Sequence, residues 1–119
     1  MKQNFCVLKK VTKVLFLLEK QLEDQFEISL NESMILCLLY DKPYKSSDIA
    51  LHLGISNSRI SRVLMDIEKR KFISRSTGTR DRREMFFTLT TKGKATVDAI
   101  QNSEIEFPVI SIEEGKYLI

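Results

Sequence analysis

Tryptophan is absent from this 119-residue chain, histidine occurs once (His52), cysteine twice (Cys6 and Cys37) and glycine four times. Two cysteines that form no CxxC pair build neither a disulfide scaffold nor a zinc site. A single histidine makes no cluster, and the sparse glycines leave no loop to cradle a phosphate. With no Ser/His/Asp set either, the chain is not expected to be an enzyme, and no cofactor or metal is implied. No apolar run approaches membrane-spanning length. Lys9, Lys10 and Lys13 interrupt the N-terminal hydrophobic stretch and no small-residue cleavage site follows it. A secretory signal is therefore not read, and a cytoplasmic protein without a membrane partner is expected.

What is present is an ordinary globular composition, 43% apolar and 29% charged, at a length that suits one domain with a real core. The net charge of +3 is modest but uneven. Between Ser56 and Arg83 stand nine basic residues, Arg59, Arg62, Lys69, Arg70, Lys71, Arg75, Arg80, Arg82 and Arg83, against Asp66, Glu68 and Asp81. Such a segment is either matched to an anionic partner or is a solvated face.

The organising stretch runs from Ser46 to Arg62. Ile49, Ala50 and Leu53 share one face of a short helix, with Ser46 and Ser47 as its expected caps. Gly54 follows where the chain must turn, and a left-handed backbone there carries no Cβ penalty. Ile55 reads as a buried hinge and Ser56 as the N-cap of a second helix. Ile60, Val63, Leu64 and Ile67 form the inner face of that helix, leaving Asn57, Ser58, Arg59, Ser61 and Arg62 outward. This is a helix-turn-helix pattern, whose second helix can enter a DNA major groove; the plainer reading is a helical hairpin in a core.

In chain order, residues from about Asn4 to Gln25 read as a long helix. Phe5, Leu8, Val11, Leu15, Leu18 and Leu22 form its apolar stripe, and Val7, Val14 and Leu17 add a second flank. A helix so greasy suits packing on its own domain and on a second copy, or full burial within a monomer. Asn31 is the expected cap of a helix reaching Tyr40, with Met34, Ile35, Leu38 and Leu39 inward and Cys37 as core. Pro43 ends it. The helix-turn-helix follows, its second helix ending near Arg70. Phe72–Ser76 reads as a strand, Thr77–Arg82 as a hairpin tip and Glu84–Leu89 as the returning strand, with Met85, Phe87 and Leu89 toward the core. Thr90 caps a last helix running to about Ser103 through Val97 and Ile100. Pro108 rules out a long helix in the tail. Phe107, Val109, Ile110, Ile112, Leu118 and Ile119 make that tail too apolar to stay unpacked, whether it docks on its own domain or on a partner subunit.

Asp81-Arg82-Arg83 followed by Leu89-Thr90-Thr91-Lys92-Gly93 resembles the D-x-R…L-T-x-x-G signature of the MarR family, bacterial winged-helix transcription regulators. Leu53–Arg62 and Leu30 fit the same family, and the resemblance covers about residues 5 to 103. It implies a mostly α fold with a small β-wing. The division expected is 1–25 as a dimerisation helix, 26–103 as a winged helix-turn-helix and 104–119 as a tail, with a recognition helix at about 56–70 and a wing at about 72–89. It implies a homodimer on pseudo-palindromic double-stranded DNA, a ligand- or stress-responsive repressor, and a pocket between the dimerisation helices and the DNA-binding lobe for a small aromatic effector. The chain departs from the pattern at three places. Lys71 stands where the family has Gly, Pro108 opposes the further long helix that usually closes the dimer, and the loop ahead of the wing motif is short. A turn of altered geometry at Lys71 is one expectation, since a left-handed Lys costs on the order of 1 kcal/mol.

Arg59 and Arg62 present planar forks suited to guanine edges or phosphates. Asn57, Ser58 and Ser61 are short donors for bases or backbone oxygens, and Ser46 and Ser47 stand near enough to the motif to touch phosphate. Arg80, Arg82 and Arg83 of the wing suit a narrow minor groove. Asp81 is expected to brace Arg83 by a salt bridge. Cys6 lies where one branch of the family places a peroxide-reactive cysteine, but a buried or incidental thiol is the preferred reading, since structural cysteines are inert. An alternative function is a winged helix used as a protein-interaction module, with the apolar tail as the binding element.

Overall fold

The apolar stripe of the first twenty helical residues does not stay on one neighbour. Helix α1 spans Val7–Phe26 and is covered only near its C-terminal end, where Leu18 and Leu22 are buried. It ends at Glu27 in a left-handed conformation (φ 55°), and Ile28 is fully buried directly after it. The computed structural model describes residues 4–78, 80–109, 111–113 and 116–118.

Helix α2 spans Leu30–Asp41, and its cap is Ser29, not the expected Asn31. Ser29 Oγ accepts from the Glu32 N–H at 3.1 Å while Glu32 Oε1 accepts from the Ser29 N–H at 2.8 Å, a reciprocal capping box. Ile35, Leu36 and Leu39 form the buried face. Cys37, expected in the core, is exposed. Lys42, before Pro43, is fully extended (φ −165°, ψ 166°), as a residue preceding proline prefers.

Helix α3 spans Ser46–Leu53. Ser46 is its first residue rather than its cap; Lys45 holds the cap position and makes no side-chain capping bond. Gly54 turns the chain in the left-handed region (φ 65°), and helix α4 spans Asn57–Lys69 under the cap of Ser56. Ile49, Ile60, Leu64 and Ile67 interlock between the two helices and α2. Ile55 is half-buried rather than buried.

Strands β1 (Ile73–Thr77) and β2 (Met85–Leu89) pair antiparallel, with Ile73 opposite Leu89 and Thr77 opposite Met85. Ile73 and Phe87 enter the core. Met85 was expected inward with them, but it lies at the outer end of the hairpin beyond the reach of the helices and is 40% exposed. Tyr44 adds a one-residue rung to β2: the Phe87 N–H donates to the Tyr44 oxygen at 2.9 Å and the Tyr44 N–H to the Phe87 oxygen at 3.3 Å. The wing root is thus anchored to the segment that leads into α3.

Helix α5 spans Thr91–Gln101 under the cap of Thr90 and buries Val97. Beyond it the chain is irregular, with Ile105 buried, until a short hairpin of β3 (Ser111–Glu113) and β4 (Lys116–Leu118). The tail positions Ile110 and Ile119 lie outside the described residues.

Candidate nucleic-acid interface

Helix α4 is two-faced because its apolar residues repeat at three and four. Burying Ile60, Leu64 and Ile67 turns Asn57, Ser58, Arg59, Ser61 and Arg62 to the surface, where all five are exposed. Ser56 Oγ accepts from the Arg59 N–H at 3.3 Å, which leaves the amides at the helix tip available to an anion. Among the described residues, no carboxylate pairs with Arg59 or Arg62. Ser47 and Asn57 line one shallow depression at the tip of α4, together with Leu51 and Ser56. Ser47 is exposed; Ser46 is half-buried and only partly accessible.

The wing tip is held by Asp81. Its Oδ1 accepts from the Arg83 N–H at 2.9 Å and from Arg83 Nε at 3.2 Å, and Oδ2 accepts from Arg83 Nη2 at 3.4 Å. The backbone N–H of Arg83, and then its guanidinium, hold the Asp81 carboxyl below its ordinary value of 3.8. The loop closes further through Gly78 N–H to the Glu84 oxygen at 2.9 Å and Glu84 N–H to the Asp81 oxygen at 3.1 Å. Arg83 nevertheless stays 92% exposed, and Arg80 and Arg82 are exposed beside it. Thr79 of this tip lies outside the described residues.

Not every cation of the basic segment faces outward. Arg75 of β1 donates through Nε to both Glu68 oxygens, at 2.9 and 3.1 Å, and lies over the Phe87 ring. That pair ties the end of α4 to the wing. Arg70 pairs with Glu32 at 3.5 Å. Lys45 lies 3.9 Å from Glu84, so its charge is shared with the wing. The outward set is therefore narrower than the count of nine: Arg59 and Arg62 on α4, Lys69 and Lys71 at its C-terminal end, and Arg80, Arg82 and Arg83 on the wing.

Two junction features escaped the sequence reading. Lys71 keeps the left-handed conformation (φ 69°) that glycine would have occupied, so the turn is not altered as expected. Phe72 N–H donates to the Ile67 oxygen and Lys71 N–H to the Glu68 oxygen, both at 3.0 Å, which completes a Schellman closure of α4. Thr90 Oγ1 donates to the Lys71 oxygen at 2.6 Å while accepting from the Gly93 N–H at 3.1 Å, so the cap of α5 also steadies that turn. The signal was the Leu-Thr-x-x-Gly run, whose Thr was read only as a cap.

Away from this face, an apolar groove of about 300 Å³ opens between α1, α2 and α5. Leu18, Leu22, Met34, Cys37, Val97 and Ile100 line it, with Phe107 of the tail. The first half of α1 and the turn before it are bare: Phe5 ahead of the helix and Leu8, Leu15 and Phe16 within it are 77, 60, 43 and 67% exposed. Cys6, at the start of α1, is also exposed. Among the described residues there is no cluster of three metal-ligating side chains and no helix long and apolar enough to cross a membrane.

Residues 17–100 match the family described as transcriptional regulator SarA/Rot. The chain is similar to the HTH-type transcriptional regulator TcaR of Staphylococcus aureus, 32% identical over 78 residues that make up 64% of this chain and 52% of TcaR. It spans about half the length of the curated relatives it matches. Among solved structures it is similar to Staphylococcus aureus MepR in complex with DNA, with a TM-score of 0.71 at 26% identity over 84% of this chain and 76% of that one. CouR of Rhodococcus jostii, solved with p-coumaroyl-CoA, shares the fold at 20% identity, with a TM-score of 0.74 over 82% of this chain and 68% of that one.

Proposed function

The chain belongs to the SarA/Rot family of transcriptional regulators, and from that premise we propose that it binds double-stranded DNA in a sequence-dependent way. It acts as a homodimer on a pseudo-palindromic operator, as a repressor in the cytoplasm. The observation that carries this reading is the sorting of cations. Arg70 and Arg75 are turned to Glu32 and Glu68, whereas Arg59, Arg62, Arg80 and Arg82 are exposed with no carboxylate partner among the described residues, and Arg83, though bonded to Asp81, stays 92% exposed. Arg59 and Arg62, with Asn57, Ser58 and Ser61, read the major groove from α4. The wing arginines enter a flanking minor groove, braced by Asp81, while Ser46 and Ser47 approach phosphate. The likeness to MepR, solved in complex with DNA and 26% identical, supports DNA as the partner. The groove beside Met34 and Val97 takes a small aromatic effector, and Cys6 is a candidate redox position at the exposed end of α1.

Selection of duplexes from a random pool, read at two salt concentrations, tests the reading. A short palindrome is expected to be recovered, with each of Arg62→Ala and Arg83→Ala weakening binding and flattening the log–log salt slope by about one unit. Equal affinity of the wild type and both variants for every duplex overturns it and returns the protein-interaction module.

A further inference from the structure

Arg70, one of the nine cations of the basic segment, is turned along the surface to groups of its own chain. Its Nη2 donates to the backbone oxygen of Glu27 at 2.6 Å, and Nη1 lies 3.5 Å from Glu32 Oε2. Glu27 is the left-handed cap that ends α1, so its carbonyl sits at the negative end of that helix. Glu32 closes the α2 capping box through its other oxygen, held by the Ser29 N–H. Arg70 is itself the C-cap of α4. One guanidinium therefore joins the ends of three helices. The Phe72 ring lies under it at 4.8 Å, and Lys92 lies 4.6 Å from the same ring while donating to the Arg70 oxygen at 2.7 Å. Lysine offers no planar fork that reaches both acceptors at once.

We propose that Arg70 is a positioning residue: it fixes the angle of α4 against the α1–α2 corner and so sets the spacing at which two copies present α4 to DNA. This rests on the reading of the chain as a DNA-binding homodimer. In that arrangement α1 belongs to the two-fold contact and α4 to the groove, and Arg70 is a direct polar link between them. A change in its length or forking tilts α4 without removing any group that touches DNA.

The test uses duplexes recovered from a random pool by the wild-type chain, and the same duplexes with one base pair inserted or removed between the half-sites. The wild type is expected to lose about tenfold or more in affinity on the altered spacings. Arg70→Met is expected to reduce that preference to below about threefold, with Arg70→Lys in between, while the salt slope stays at the wild-type value and Arg62→Ala flattens it by about one unit. Sedimentation is expected to give the same dimer for Arg70→Met as for the wild type. A wild-type spacing preference in Arg70→Met overturns the proposal, as does a salt slope flattened as in Arg62→Ala, which marks Arg70 as a phosphate ligand. Should Arg70→Met fail to fold, Glu32→Gln keeps an oxygen for the Ser29 amide and carries the same test. A weakened spacing preference in it supports the proposal and an unchanged one overturns it. Recovery of no duplex by the wild type overturns the DNA-binding reading as well; recovery without any spacing preference overturns only the role of Arg70.

Discussion

A methyl group added at residue 93 would overlap the carbonyl oxygen of Phe72 and stand 3.1 Å from Leu89 Cδ2. Glycine at the third helix position, the last of the Leu-Thr-x-x-Gly run, is therefore a packing requirement: α5 rests directly on the backbone that leads from α4 into the wing. Because the obstacle is a main-chain oxygen fixed by its bonds to Thr90, it cannot rotate away as a side chain would. Gly93→Ala is expected to lower stability by about 2–3 kcal/mol, measured by denaturant unfolding with an unchanged m-value; a loss within experimental error of zero refutes the close approach. Lys71, two residues upstream in the same junction from Ile73, accepts a left-handed backbone instead. The Schellman bonds and the Thr90 hydroxyl outweigh a strain on the order of 1 kcal/mol, which explains why a missing glycine left the turn intact.

At the scale of the element, the wing tip depends on one carboxylate. The folded-state pKa of Asp81 is lowered from 3.8 by the Arg83 N–H and then by its guanidinium. A lowered carboxyl stabilises in its ionised form, so the clasp is fully present above pH of about 4 and is lost as the pH falls through the lowered value. Titration of the Asp81 carboxyl by NMR is expected to give a midpoint below 3.8, and Arg83→Ala to raise it only part of the way, since the backbone N–H remains. A wild-type midpoint at or above 3.8 contradicts the clasp. This pair was legible in sequence because its partners are two residues apart. So was the helix-turn-helix, whose i, i+3, i+4, i+7 apolar spacing leaves little choice of inner face. The Ser29-x-x-Glu32 capping box was equally local, yet Asn31 was preferred as cap by residue type alone. By contrast, the turn of Arg70 along the surface depends on Glu27 and Glu32, some forty positions away in sequence. The exposure of Cys37 depends on a groove that exists only once α1, α2 and α5 diverge. Neither leaves a local trace.

For the whole molecule the principal extents are 53 × 32 × 23 Å and the radius of gyration is 16.1 Å, against about 13–14 Å for a compact chain of this length. Helix α1 supplies a reason: its stripe is sealed at Leu18 and Leu22 but leaves Leu8 and Leu15 in solvent, with Phe5 just ahead of the helix and Phe16 beside the stripe exposed as well. Covering one such side chain is worth about 1.5–3 kcal/mol, and a two-fold contact covers each of them twice. A monomer holding that face in water would forgo a gain comparable to the stability of a small domain. Leu15→Glu with Phe16→Glu is therefore expected to convert a dimer into a monomer in sedimentation equilibrium while leaving the helical circular dichroism signal in place, since neither residue belongs to the buried core. Affinity for a selected palindrome is expected to fall by more than about tenfold, because each copy then grips one half-site without its neighbour. A double variant that still sediments as a dimer would move the two-fold contact off this face of α1, and with it the geometry that brings two copies of α4 to one side of a duplex.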